Sequence, residues 1–257
     1  MNIAVVLRQV PDLIEPPEVD PSGTKFDLGA ATFILNESDD HALEQALLMK
    51  EAGGGTITVL AFDFGDVDNT LYTAAAKGAD RIVKLLWQEA DPPTPHVAAA
   101  MLAEAIRPLR PELVLVGVNA HNELDGVLPP FLAQALAFPY VGVIRGVQNG
   151  PDPGAVSVRK EFPGAVMAQL QVQLPAVLGI LGAEQPPRYV PVSRIRAATK
   201  TAQFEETEPS AAVDELPVAV RRLYPPAASG HAEMLTGSAD EIAARIMTLL
   251  ADKGILK

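Results

Sequence analysis

The sequence predicts an α/β fold: a largely parallel sheet with helices on both faces, an antiparallel extension, and a C-terminal arm that ends in a helix. Three observations predict it. Short apolar runs alternate with helical patterns over roughly the first 140 residues, the signature of a parallel sheet with crossover helices. After that point four β-rich runs follow one another, with Asn149-Gly150 and Pro163-Gly164 as turn residues between them. From Val190 hydrophobic density falls, and one amphipathic pattern closes the chain. Residues 1–189 therefore read as an α/β nucleotide-binding-type domain and residues 190–257 as a partner-binding arm with a terminal helix.

The first buried strand spans residues 3–7. A loop rich in Pro, Asp and Gly covers residues 9–29, with a short hairpin around Pro21-Ser22-Gly23, and residues 32–35 form a short strand. A helix starts at Asn36 or Ser38, either of which can cap it; Asp39 and Asp40 suit the positive end of its dipole. Gly53-Gly54-Gly55 stops that helix. Residues 56–62 form a strand, 67–77 a helix and 81–85 a strand. Thr94 can cap the next helix, and Pro95 fits its first turn. Residues 113–117 are continuously apolar and read as a buried parallel strand. A polar turn from Asn119 to Gly126 follows, and Pro129-Pro130 opens an apolar helix. The runs at 141–147, 155–162, 165–174 and 176–181 make the antiparallel extension. The segment 192–200 carries Arg194, Arg196 and Lys200, and residues 218–230 show no periodicity. Ser238 and Glu241 form a capping box, Ile242, Ile246, Leu249 and Leu250 an apolar stripe, and Gly254 ends that helix.

Composition narrows the function classes. A net charge of -12 argues against a nucleic-acid backbone or an anionic membrane as the main ligand. The absence of Cys removes disulfides, thiolate metal sites and Cys nucleophiles. The N-terminal segment reads as a strand rather than a signal peptide, and no run is long enough to span a bilayer. A soluble, cytoplasmic protein is expected. His41, His96, His121 and His231 lie far apart and form no metal pattern, no nucleophile signature occurs, and no catalytic residue is expected.

The strand, polar turn and helix at 113–139 place backbone donors and a helix start at the carboxyl edge of a sheet, where α/β proteins bind nucleotides. This is not a Walker or GxGxxG sequence. Pro129 and Pro130 lack N–H groups where an anion site needs them.

Several segments together resemble the β subunit of electron transfer flavoproteins. They are IAVVLRQVPD near the start, NESDDHALEQAL from Asn36, LYTAAAKGADRIV from Leu71, and the strand, turn and helix from Leu113. LPAVLGI, then PPRYVPVSRIRAATK, and the closing ADKGIL continue the match along nearly the whole chain. The resemblance implies an adenine nucleotide α-hydrolase-like fold and pairing with an α subunit. It also implies an FAD shared with that subunit, and electron transfer from dehydrogenases or NADH without catalysis of its own. In the family the β subunit commonly binds AMP in its own crevice, and electron-bifurcating members hold a second FAD there. By matching position the crevice is lined by Val6, Asn36, Glu37, Ser38, Asp39, Phe62, Gly117, Asn119, Asn122, Asp125, Gly126, Val127 and Leu128. A recognition loop for a redox partner such as a dehydrogenase falls at residues 192–198. The chain departs from the pattern in places. Where the family has Gln, Thr or Val, and Gly to hold phosphate, Val127, Leu128 and Pro129 stand; Glu37-Ser38 replaces Pro-Phe; Val192 replaces a Leu. Two alternatives follow from these departures and the fold: a β-like interaction subunit without bound nucleotide, and a stand-alone adenine-nucleotide-binding protein.

Overall fold

A computed structural model describes residues 1–14, 17–29, 31–89, 91–150, 152, 154–210, 220–224 and 232–256. Its first half runs β1 (Asn2–Val6), β2 (Gln9–Pro11), β3 (Phe33–Leu35), α1 (Glu37–Gly53), β4 (Thr56–Phe62), α2 (Val67–Lys77), β5 (Arg81–Leu85), α3 (Pro95–Ile106), β6 (Leu113–Gly117) and α4 (Leu128–Leu136). Then follow β7 (Tyr140–Asn149), β8 (Ala155–Phe162), β9 (Val166–Gln173), β10 (Ala176–Gly182), α5 (Val192–Thr201), β11 (Glu205–Thr207) and α6 (Ala239–Asp252).

Among the described residues the main sheet has nine strands in the order β11-β5-β4-β1-β6-β10-β7-β8-β9. Every pair from β11 to β7 is parallel; β7-β8 and β8-β9 are antiparallel. Period-2 alternation in β1 divides the core. Ile3, Val5 and Leu7 pack with α1 and α2 on one face; Ala4 and Val6 pack with α3 and α4 on the other. Sequential strands run from β1 outward to β4 and β5, then cross back to β6 on the other side of β1. The carboxyl ends of β1 and β6 therefore flank a switch point, where α/β sheets leave a crevice.

The structure corrects three details of the sequence reading. Residues 176–182 do not continue the antiparallel meander. They return as β10, parallel to both β6 and β7 and inserted between them. The return is short because β7 bends. Its register shifts between Ile144 and Val147, Val143 (φ 62) and Gly146 (φ 87) take left-handed backbone, and the Val147 carbonyl accepts from Gln45 Nε2 of α1 at 2.8 Å. Non-local pairing of this kind leaves no mark in a local pattern. Second, residues 9–11 form β2, antiparallel to β3, where a loop was expected; the hairpin at 21–23 is present, with Gly23 N donating to the Asp20 carbonyl at 2.9 Å. Third, residues 192–198 are the start of helix α5 rather than a loop, and Ala198 packs with Val190 and Ala76 of α2.

The last helix follows its sequence signal. Ser238 Oγ accepts from Glu241 N, and the Glu241 carboxylate accepts from Ser238 N at 2.7 Å. None of its residues is buried: of its apolar stripe Ile246 is exposed and Ile242, Leu249 and Leu250 are half-buried. No described helix is long and apolar enough to cross a membrane. Of the irregular stretch expected at 218–230, residues 220–224 are described; the rest, with Pro225, Pro226 and His231, lies outside the described residues.

Candidate functional site

A cavity of about 320 Å³ opens at the carboxyl edge of the sheet. Its apolar wall comes from Val6 and Leu7 at the end of β1, Phe62 at the end of β4, Phe64, Ala98 and Leu102 of α3, and Leu128 of α4. These lie where they do because Val6, Leu102 and Leu128 belong to the core on the α3/α4 face. Trp87 meets Phe62 edge-on with ring centroids 6.1 Å apart, and Phe131 packs 4.2 Å from the ring of His96, itself a lining residue. One arm residue, Val220, also lines the cavity; nearby, Leu223 N donates to the Gly23 carbonyl at 2.8 Å and holds that segment against the domain.

Behind the cavity floor sits a dense polar brace centred on Arg8. Arg8 Nε donates to Asp39 Oδ2 at 2.9 Å and Nη2 donates to Asp39 Oδ1 at 2.9 Å. Nη1 donates to Glu123 Oε1 at 2.8 Å, and Nη2 also reaches the Gly117 carbonyl at 2.7 Å. Asp39 further accepts from Arg8 N at 3.0 Å and Gly117 N at 2.6 Å. Burial alone would lower the Arg8 pKa, but Asp39 and then Glu123 outweigh it and hold it above its ordinary value. Burial pushes the Glu123 carboxyl up, and Arg8 offsets part of this.

The sequence-predicted residues divide between cavity and brace. Val6, Phe62, Asn122, Asp125, Val127 and Leu128 line the cavity. Asn36, Ser38, Asp39, Gly117 and Asn119 do not. Asn36 Nδ2 and Ser38 Oγ both donate to the Asn119 carbonyl, at 2.9 and 2.7 Å, and tie the start of α1 to the turn after β6. Asn36 holds the cap position of α1, yet its side chain makes no cap bond, because it is drawn to that carbonyl instead. Gly126 (φ 58) packs against Asn119, and Glu37 is exposed. The division has a simple cause: α1 packs on one face of the sheet, and the cavity opens on the other.

Sequence reasoning missed Arg8, Gln9, Phe64 and His96; Glu123 falls within the polar turn it singled out, but its pairing with Arg8 was not read. For Arg8 the signal was available, since a charge immediately after a central buried strand must emerge at the carboxyl edge. Gln9, Phe64, His96 and Val220 reach the cavity by tertiary placement alone. Among the described residues no cluster of three or more His, Asp or Glu is arranged for a metal ion.

The cavity suits one part of an adenine nucleotide and not the other. Phe62, Leu102 and Leu128 can pack against a base. The phosphate end has no counterpart: α4 carries proline in its first turn, and the one lining guanidinium among the described residues already binds Asp39 and Glu123.

A family model described as the electron transfer flavoprotein domain matches residues 27–212, well over half of the chain. The chain is 29% identical over 260 residues to the electron transfer flavoprotein subunit beta of Methylophilus methylotrophus, covering 97% of this chain and 98% of that protein. It is 27% identical over 261 residues to the electron transfer flavoprotein subunit beta of Clostridium acetobutylicum, covering 98% and 99%. It is 29% identical over 267 residues, the full length of both chains, to the caffeyl-CoA reductase-Etf complex subunit CarD of Acetobacterium woodii. The family model over residues 27–212 and these relatives over nearly the whole length agree, and the chain belongs to the electron transfer flavoprotein β-subunit family.

Proposed function

We propose that this chain is the β half of a heterodimer with an electron transfer flavoprotein α subunit, and that the pair carries FAD held mostly by α. When bound, the flavin supplies the electron-transfer chemistry. This chain shapes the complex and presents a surface to redox partners; no bond is made or broken on its own side chains. The observation that carries the reading is α6. It is a fully capped helix with Ile246 43% and Met247 56% exposed and no residue buried. An amphipathic helix whose apolar stripe is left incompletely covered among the described residues offers that stripe to a partner surface. The relatives support it too, being named as an electron transfer flavoprotein subunit beta or as a subunit of a reductase-Etf complex.

Redox partners dock, on this reading, on the surface around α5. Arg188 is clamped to α1, with Nη2 to Glu44 Oε1 at 2.8 Å and Nη1 to Glu51 Oε1 at 2.6 Å. That clamp leaves its neighbour Tyr189 83% exposed, beside exposed Val192, Arg194, Arg196 and Lys200. An apolar centre with basic neighbours matches an acidic partner surface.

The experiment is co-purification with an α subunit, comparing the native chain with Ile246→Asp and Leu249→Asp. Both variants are expected to melt at the native temperature when alone and to lose the partner on a sizing column. Retention of the partner by both would remove α6 from the interface.

A further inference from the structure

The main sheet ends in two edges of unlike character. β11 is three residues long and carries Glu205 and Glu206, whose charges discourage another strand from joining. β9 is eight residues long, VMAQLQVQ, and pairs only with β8 among the described residues. No charged residue falls between Glu161 and Glu184, and β9 contains no proline. Its pairing with β8 runs from Ala155 opposite Gln173 to Phe162 opposite Val166 without a shift, so no bulge turns the edge away. Roughly half of its N–H and C=O groups therefore point outward in a regular row. Charge, proline, bulge and shortness are the usual guards of an edge, and β9 has none of them.

The side chains say which strand fits that row. Val166, Ala168, Leu170 and Val172 share the α1 face, where cover fades toward the hairpin tip: Val172 is buried, Leu170 half-buried and Val166 57% exposed. Met167, Gln169, Gln171 and Gln173 share the other face, where Gln169 Nε2 donates to Ser157 Oγ at 2.9 Å. A two-fold antiparallel pairing of β9 with the same strand of a second chain preserves both faces. It sets aliphatic side chains against aliphatic ones and brings the glutamine amides, each both donor and acceptor, alongside one another. Each chain carries a net charge of -12, yet no like charges meet on this strand. We propose that β9 is a self-pairing edge: two copies of this chain join antiparallel through residues 166–173 and continue one sheet across both. No residue of α6 enters the pairing, so the inference goes beyond the heterodimer reading and does not rest on it. With the α subunit bound, the assembly holds two of each chain.

The test is the mass of the full-length chain by analytical ultracentrifugation over a concentration series, alone and with the α subunit. The native chain is expected at twice its 27.2 kDa, with the amides of residues 166–173 protected from hydrogen exchange. Gln169→Lys combined with Gln171→Lys puts like charges opposite one another in either central register. It is expected to weaken self-association by about tenfold while the far-ultraviolet circular dichroism stays native. Gln169→Glu combined with Gln171→Glu is expected to do the same, and mixing the two variants is expected to restore the dimer, which a merely misfolded strand could not do. A native chain that stays monomeric, a lysine variant that associates as the native chain does, or a mixture that stays monomeric would each overturn the proposal. So would replacement of the dimer by a one-to-one pair when α binds, which would assign this edge to α. Ile246→Asp, expected to lose α, is expected to keep the dimer, so the two readings fail by different measurements.

Discussion

Arg8 and Asp39 are joined by two side-chain hydrogen bonds of 2.9 Å each, one from Nε to Oδ2 and one from Nη2 to Oδ1, across the carboxyl edge of the sheet. The Asp39 side chain has no exposed surface, and that of Arg8 is 11% exposed. This pair links the end of β1 to the start of α1, and Gly117 N completes the link to β6. A bidentate pair this deeply buried fixes geometry, because either partner alone would be an uncompensated charge.

Arg8→Met should therefore destabilise the chain by about 3–5 kcal/mol, by stranding Asp39. Asp39→Asn should cost less, because Arg8 keeps Glu123. The double variant should cost less than the sum of the two, since the residues share one network. Urea unfolding of the three variants measures this; strict additivity would mean that the pair does not act as a unit.

Gly117→Ala tests the close approach of α1 to β6. A Cβ at position 117 would stand 2.3 Å from Ser38 Oγ and 2.5 Å from Asp39 Oδ1. The expected loss is about 1–3 kcal/mol, as for other overpacked sites. Ser38→Ala in the same chain should recover part of it, because it removes the nearest of three close approaches, the others being Asp39 Oδ1 and Asp39 N at 2.8 Å. A melting temperature equal to that of the native chain would show that the α1 start can move away.

How much of this was legible in the sequence depends on the range of the interaction. The strands at 56–62 and 81–85 and the helix at 67–77 have the bounds read from periodicity. The capping box at Ser238 and Glu241 is also as read, since cap, stripe and stop are local. The insertion of β10 between β6 and β7 was not legible, because pairing partners are set by the bend in β7 at Val143 to Gly146. At the crevice, matching positions named residues on both faces of the sheet, whereas the cavity opens on the α3/α4 face alone. Asn36, Ser38 and Asp39 consequently brace the turn after β6, and the pairing of Arg8 with Glu123, 115 residues apart, is set by three-dimensional placement.

Glu123 gives a pH signature. Its folded-state carboxyl is raised above the usual 4.5, mainly by burial, with Arg8 opposing. In the window just above 4.5 the folded state therefore binds more protons than the unfolded state, and this group destabilises as pH rises through its folded pKa. Relative to Glu123→Gln, the native chain should gain stability as pH falls toward that window and lose it on return to neutrality. Denaturant midpoints of both proteins, followed from pH 4.5 up to neutrality, provide the comparison. Parallel curves would contradict the burial of this carboxylate.

The central claim is that this chain completes a flavin-carrying pair, and visible absorbance tests it most directly. The full chain is co-expressed with an electron transfer flavoprotein α subunit from the same genome, and the complex is isolated through a tag on this chain alone. The account predicts a yellow heterodimer whose flavin, released by denaturation, is FAD in at least equimolar amount to the pair. A colourless complex, or recovery of this chain without the α subunit, would contradict it.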